Sequence, residues 1–315
     1  MTVLIWREAG RECRRVARVF DDLVAGELAA VAAVLPPAEV RHLRHTVFRI
    51  NSLLYLYAKL LRRPHRTELG VLLGAITHLL DHVYDHPYAA GAEVRVFEDV
   101  VFQQLAADPD RPLQVALARL AEQAWGAVTN PAELSNRLAV MLDTQRRSQT
   151  QVGPAVADPA LWQLTSDKGH HSLCLYFAAV NPRFGASEER ALRGFGSYLQ
   201  YMDDLEDLHE DQAEGRQSPV RGVLHGIGRG TLLFARALRD IRAFYPRPRH
   251  KTGVFVSWLL LFHAGIVVGA LAREITSRLP VRLQEELDRR QEWLSARIPF
   301  FYVAPLSFAG RPRNS

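Results

Sequence analysis

The sequence predicts an all-α fold, a single bundle of roughly ten or more helices around a central apolar cavity, and three observations lead there. Apolar residues recur at three- and four-residue spacing along nearly the whole chain. Alternating strand-like runs between turn residues are scarce. Breakers separate long periodic segments: Pro36-Pro37, Pro64, Pro87 with Gly91, Pro109 with Pro112, Asn130-Pro131, Gly153-Pro154, Asn181-Pro182 with Gly185, Gly215 to Pro219, Gly226 to Gly230, and Pro246 with Pro248. No fixed-period repeat or low-complexity linker divides residues 1–315, so one domain is expected.

Arginine-rich helices open the chain, among them RHLRHTVFRINSLLYLYAKLLRRP at residues 41–64. Next comes the apolar helix LGVLLGAITHLLDHVYDHP, which ends on Asp81 and Asp85, two carboxylates four residues apart just before Pro87. A third segment, TSDKGHHSLCLYFAAVNP, carries Lys168. The sharpest feature is GSYLQYMDDLEDLHEDQAEGRQSP, residues 196–219, in which Asp203, Asp207 and Asp211 repeat every fourth residue. Each step of four turns a helix by only about 40°, so all three project from one face within about 12 Å along the axis. Gln200 extends that row upstream, Glu206, Glu210 and Glu214 flank it, and Asp204 projects about 100° away, where it would only solvate the helix. Unpaired carboxylates at this spacing repel one another, a cost that a cation would offset. Finally, GVFVSWLLLFHAGIVVGALA at residues 253–272 is apolar for about the length of a bilayer span, with His263 as its polar interruption. A buried core helix is the preferred reading, membrane contact the alternative.

Composition narrows the function classes. With 48% hydrophobic and 23% charged residues the chain can build a large core. The formal charge is +5, yet only Lys59, Lys168 and Lys251 among the 39 basic residues are lysine, and the arginines are scattered rather than striped, which argues against a nucleic-acid partner. Cys13 and Cys174 cannot by themselves form a disulfide framework or a tetrahedral zinc site. Charged residues interrupt the N-terminal segment early, which predicts a cytoplasmic protein rather than a secreted one; peripheral membrane association and a homodimer both stay open.

Two acidic rows on apolar helices, if they face each other, form two walls around a cavity. Hard divalent cations take carboxylate and phosphate oxygens, so the pattern points to Mg²⁺ ions clamping a diphosphate. Lys168, and Arg216 in the turn after the second row, would add donors. Tyr57, Tyr84, Phe177, Tyr198 and Tyr201 are candidates for the wall of a pocket in which ring faces stabilise a carbocation, with core packing the plainer role for any one of them.

On these residues the chain resembles the class I isoprenoid synthases, nearest to the squalene and phytoene synthases and to the class IB terpene synthases related to tetraprenyl-β-curcumene synthase. The order agrees over roughly residues 50–220: an Asp-rich helix (Asp81, Asp85), a helix with a lysine (Lys168), and a second Asp-rich helix (Gln200, Asp203, Asp207, Asp211) leading into a Gly215-Arg216 turn. Squalene and phytoene synthases have Q-x2-N-x3-D-x3-D there, and Asp203 stands in place of the asparagine. The resemblance implies a Mg²⁺ cluster of two or three ions, replaceable by Mn²⁺, held by Asp81, Asp85, Asp203, Asp207 and Asp211, with Lys168, Arg216 and Gln200 binding the diphosphate. It implies a substrate that is an allylic prenyl diphosphate, ionised to a terpene hydrocarbon or alcohol. Neither the G-G-K-R-x-R-P stretch nor the D-D-x2-D motif of chain-elongating prenyltransferases is present, which favours a synthase that uses one diphosphate. A prenyltransferase of the squalene/phytoene or polyprenyl type is the alternative.

Histidine supplies a more distant one. His78, His82 and His86 are spaced by four around Asp81 and Asp85, and Glu39-x-x-His42 and Glu206-x-x-His209 have the form used in di-iron helical bundles. A di-iron oxidase would need two further bridging glutamates and leaves the aspartate triple unexplained.

Overall fold

The computed structural model describes residues 2–32, 34–85, 91–128, 130–245 and 249–276, with 282, 283 and 286 as isolated positions. Among the described residues there is no strand, and twelve α-helices follow in order: α1 (Thr2–Leu23), α2 (Ala25–Val31), α3 (Pro37–Leu61), α4 (Thr67–Asp85), α5 (Gly91–Val101), α6 (Pro112–Gly126), α7 (Pro131–Ser148), α8 (Asp158–Val180), α9 (Ala186–Glu206), α10 (Leu208–Glu214), α11 (Val223–Phe244) and α12 (Arg249–Thr276). The all-α expectation holds. Proline opens α3, α6, α7 and α8, where its missing N–H leaves no bond unmade. Asn130 caps α7 by accepting the Glu133 N–H at 3.3 Å.

The breakers mark most boundaries, with one exception. Gly226 to Gly230 does not interrupt α11. Its glycines instead let the helix approach α9: a Cβ on Gly226 would meet Leu205 Cδ1 at 2.6 Å, and one on Gly230 would meet the Met202 sulfur. Two breaks carry no breaker residue: Val24 separates α1 from α2, and Asp207 separates α9 from α10.

Helices α4, α8 and α9 hold the centre, with α8 packed on α7 and α9, α9 on α11, and α4 on α3. The α8–α9 contact is unusually close because both helices present small residues. A Cβ on Gly169 would fall on the Gly196 carbonyl, and one on Gly196 would lie 2.7 Å from the Gly169 oxygen. One turn earlier on α8, the Ser166 and Ser197 hydroxyls are 2.7 Å apart. This seam sets Lys168 and Thr165 of α8 beside the C-terminal half of α9.

The apolar helix α12 is only partly a core helix. Phe255, Trp258, Leu259, Ile266 and Ala270 are buried, while Leu260, Leu261, Val268 and Ile275 are exposed, and 39% of its most apolar window lies inside the protein. By length and composition it is long and apolar enough to cross a membrane. His263 faces inward, stacks on Phe234 at 4.5 Å and hydrogen-bonds the Tyr198 hydroxyl at 3.0 Å, which explains a polar residue in this segment.

Candidate functional site

The second acidic row lies where α9 gives way to α10. The expectation of one unbroken helix changes here, because Asp207 is at once the last cap of α9 and the first of α10. The four-residue spacing nevertheless survives in the backbone: the Asp207 N–H reaches the Asp203 carbonyl at 3.0 Å and the Asp211 N–H the Asp207 carbonyl at 2.9 Å. Asp203, Asp204, Asp207 and Asp211 are all half-buried.

Charge is crowded there. Burial pushes the Asp207 carboxyl well above the usual range; Asp203, Asp211 and Glu206 add to this and Arg273 opposes it. Burial, with repulsion from Asp204 and Asp203, pushes Asp211 up to about 7 against Arg216 and Lys168. Asp204 is not a solvating residue. It turns toward α8, accepts the Thr165 hydroxyl at 2.7 Å and the Gln200 amide at 3.0 Å, and burial raises its pKa. Gln200 also donates to Asp203 at 3.2 Å, so its amide serves two aspartates of its own helix.

The first row contributes Asp81, which accepts a hydrogen bond from Gln145 of α7 and lies 3.9 Å from Lys168 Nζ. Asp85 is the last residue of α4, but its side chain, like all of His86, lies outside the described residues. Arg216 Nε is 3.6 Å from Asp211 Oδ1. The turn that carries Arg216 is pinned by a bridge to Val152 and by the Gln217 N–H on the Gln151 carbonyl at 2.9 Å. Gly215, at φ 71°, closes α10 in the left-handed conformation that glycine adopts without strain. The structure therefore gathers Asp81, Lys168, Gln200, Asp203, Asp207, Asp211 and Arg216 from α4, α8, α9, α10 and the following turn.

Sequence reasoning missed two arginines here. Arg49 of α3 pairs with Glu206 at 2.8 Å, and the charges of Glu206, Asp203 and Asp207 raise its pKa against the effect of burial. Arg273 of α12 is buried and donates to the Glu206 carbonyl, yet its Nε and Nη2 are buried with no hydrogen-bond partner. Buried donors left unmade are costly, and the charge of Arg273 acts on Asp207 of the acidic row. Spacing on α9 could not reveal either residue, since both arrive from distant helices. Arg146 and Arg147 are engaged with Glu98, Asp143 and Asp167.

The five aromatic candidates enter four separate contacts. Tyr57 stacks on Phe177 at 3.8 Å and donates to Glu188 at 2.6 Å. Tyr84 donates to Glu98. Tyr198 packs on Phe234 and His263. Tyr201 lies against Trp162 and under the Arg229 guanidinium, 5.5 Å from its ring centre, with its buried hydroxyl unpartnered. A cavity of about 420 Å³ sits next to this last group, lined by Asp158, Pro159, Trp162, Pro219, Arg221, His225 and Arg229. Its wall is charged and includes no member of the acidic rows.

Of the two Glu-x-x-His pairs, Glu206 and His209 are taken up by Arg49 and by Glu274, the latter at 3.1 Å. Only Glu39-x-x-His42 meets further histidines among the described residues. Burial and the neighbouring His78 push His42 down to about 4 while Glu39 and Asp203 act the other way, which sets this pair within the field of the second acidic row. No protein-family model, curated protein or solved structure matches the chain.

Proposed function

We propose that the chain is a class I terpene synthase that ionises an allylic prenyl diphosphate to a terpene hydrocarbon or alcohol plus diphosphate. The observation that carries this reading is the position of Lys168, 3.9 Å from Asp81 of the first acidic row and within the field of Asp204 and Asp211 of the second. Two walls of carboxylate around a single lysine repel a bare diphosphate, and cations reverse that sign.

The donor set fits a hard divalent cation, being made of carboxylate oxygens whose mutual repulsion already raises Asp207 and Asp211. Asp81, Asp203, Asp207 and Asp211, with Asp85 from the end of α4, would hold Mg²⁺ as a cluster of two or three ions, or Mn²⁺ in its place. Bound there, Mg²⁺ supplies Lewis-acid stabilisation of the departing diphosphate oxygens. Lys168 and Arg216 would neutralise the diphosphate, and Arg273, whose Nε and Nη2 carry three N–H groups without a hydrogen-bond partner, would add donors. Gln200 positions Asp203 and Asp204 through its amide rather than binding the diphosphate itself. The outward apolar stripe of α12 supports peripheral attachment to a membrane, where prenyl chains dissolve, and flotation with liposomes tests it.

The deciding experiment incubates the purified chain with geranyl, farnesyl, geranylgeranyl and longer prenyl diphosphates and Mg²⁺, with and without isopentenyl diphosphate. A non-polar product and free diphosphate from one substrate alone are expected. Product only in the presence of isopentenyl diphosphate would move the reading to chain elongation, and product of doubled carbon number to head-to-head coupling. No diphosphate release with any substrate removes the reading.

A further inference from the structure

Beside the aspartate rows, on the facing helices α3 and α4, lies a second group of ligand-bearing side chains of different chemistry. Glu39 stands in the first turn of α3, where an acidic residue complements the helix dipole, but the histidines facing it have no such explanation. His42 follows three residues later on the same face, and His78 and His82 are four apart on α4. Ligand atoms of Glu39, His42 and His78 all lie within 4.8 Å of one another. The His42 and His78 rings meet edge to face at 4.9 Å between centroids. Nε2 of His78 is 3.7 Å from Glu39 Oε2, and Nδ1 of His82 is 3.8 Å from the same oxygen.

The independent sign of a ligand is His78 itself. Its side chain is 9% exposed, and its Nε2, aimed at Glu39, is buried without a hydrogen-bond partner. A buried ring nitrogen at 3.7 Å from a carboxylate oxygen is too far for a hydrogen bond, so it stays an unmet polar atom inside the protein. An ion between them would satisfy the His78 nitrogen. Two imidazoles and one carboxylate differ from the all-oxygen set of the aspartate rows, since imidazole selects borderline metals such as Zn²⁺, Fe²⁺ or Co²⁺ over Mg²⁺.

We propose that Glu39, His42 and His78 form a mononuclear site for a first-row transition-metal dication. Three protein ligands from two helices leave a coordination position for water or substrate, the pattern of a reactive rather than a closed structural site. The inference is independent of the diphosphate reading, and either can fail alone.

The test titrates Co²⁺ into chelator-stripped full-length protein and follows its visible ligand-field bands. One Co²⁺ per chain, displaced by Zn²⁺ and not by millimolar Mg²⁺, is expected. His42→Gln and His78→Gln should each weaken binding by at least the roughly 10- to 100-fold that loss of an outer-shell partner costs, while Asp211→Asn leaves the bands unchanged. Zinc K-edge absorption of the wild-type protein gives a readout that needs no variant to fold: imidazole nitrogens at about 2.0–2.1 Å are expected. An all-oxygen shell, no ligand-field bands, or equal affinity in folded His42→Gln and His78→Gln proteins would overturn the assignment.

Discussion

Glu188 and Asp207 are carboxylates withdrawn from solvent at opposite ends of the same helix, and α9 treats them in opposite ways. Glu188 stands in the first turn, where the positive end of the helix dipole favours an anion. Neutral donors converge on it: the Tyr57 hydroxyl at 2.6 Å, the Asn181 amide at 2.9 Å and the Tyr245 hydroxyl. Asp207 closes the last turn, where the dipole opposes an anion, no basic residue of α9 lies nearby, and Asp203, Asp211 and Glu206 repel it. A buried carboxylate held by neutral hydrogen bonds is a structural device. Several crowded together at the wrong end of a helix are a cost that Arg273, Arg216 and Lys168 oppose and that a bound cation would offset further, and such perturbed carboxyls cluster at functional sites.

Both ends depend on the α8–α9 seam, so the largest effect comes from opening it. Gly169→Val drives a branched side chain into the Gly196 carbonyl, where the obstacle is backbone and cannot rotate away. A loss of more than about 3 kcal/mol in urea unfolding is expected, above the ordinary range for overpacking. Little change would mean that the helices are not so close. At the structural end alone, Glu188→Ala leaves Tyr57, Asn181 and Tyr245 without their shared acceptor, and buried groups orphaned at about 1–3 kcal/mol each predict a loss of more than about 2 kcal/mol. Diphosphate release by the protein that remains folded should persist.

The contrast also explains what could be read without coordinates. Helical class and most boundaries were legible because periodicity and prolines act locally, as at Pro112 and Pro131. The aspartate row was legible because i, i+4 spacing is a property of one helix. Arg49 and Arg273 were not, since their approach to Glu206 depends on how α3 and α12 dock. Asp204 was misjudged for the same reason, as angle along one helix cannot tell solvent from a neighbouring helix bearing Thr165. Gly226 and Gly230 were read as breakers when they are points of close approach, a distinction that only the partner residues Leu205 and Met202 make visible.

At the other end of α9, substitution should act with the reverse sign. Asp207→Asn removes one charge from the crowd and keeps the shape, so in chelator the variant should be more stable than the parent, because burial and repulsion from Asp203, Asp211 and Glu206 hold the Asp207 carboxyl well above its usual range. The same change should abolish diphosphate release with Mg²⁺ present. Greater stability without activity is the expected outcome, read by urea unfolding and a diphosphate assay on one preparation. A destabilised variant would place Asp207 in the same class as Glu188 and dissolve the contrast.

The smallest effect concerns acid. His170 of α8 lies against the seam, its Cα 2.8 Å from where a Cβ on Gly196 would stand, and burial pushes it down to about 4, with Arg193 and His171 adding to this and Glu189 and Asp167 opposing. A histidine depressed on folding binds its proton more readily in the unfolded chain. Its contribution is therefore complete above the unfolded value of about 6.5 and is lost as pH falls from there toward about 4. Melting temperature should drop across that window, and His170→Gln, which cannot take up the proton, should flatten part of the slope. The carboxylates at the far end act oppositely: Asp211, raised to about 7, favours the folded state as acid protonates it. A slope unchanged by His170→Gln but steepened by Asp211→Asn would show that acid sensitivity arises elsewhere while the acidic row still resists it, leaving the contrast between the two ends standing on Asp207 and Glu188 alone.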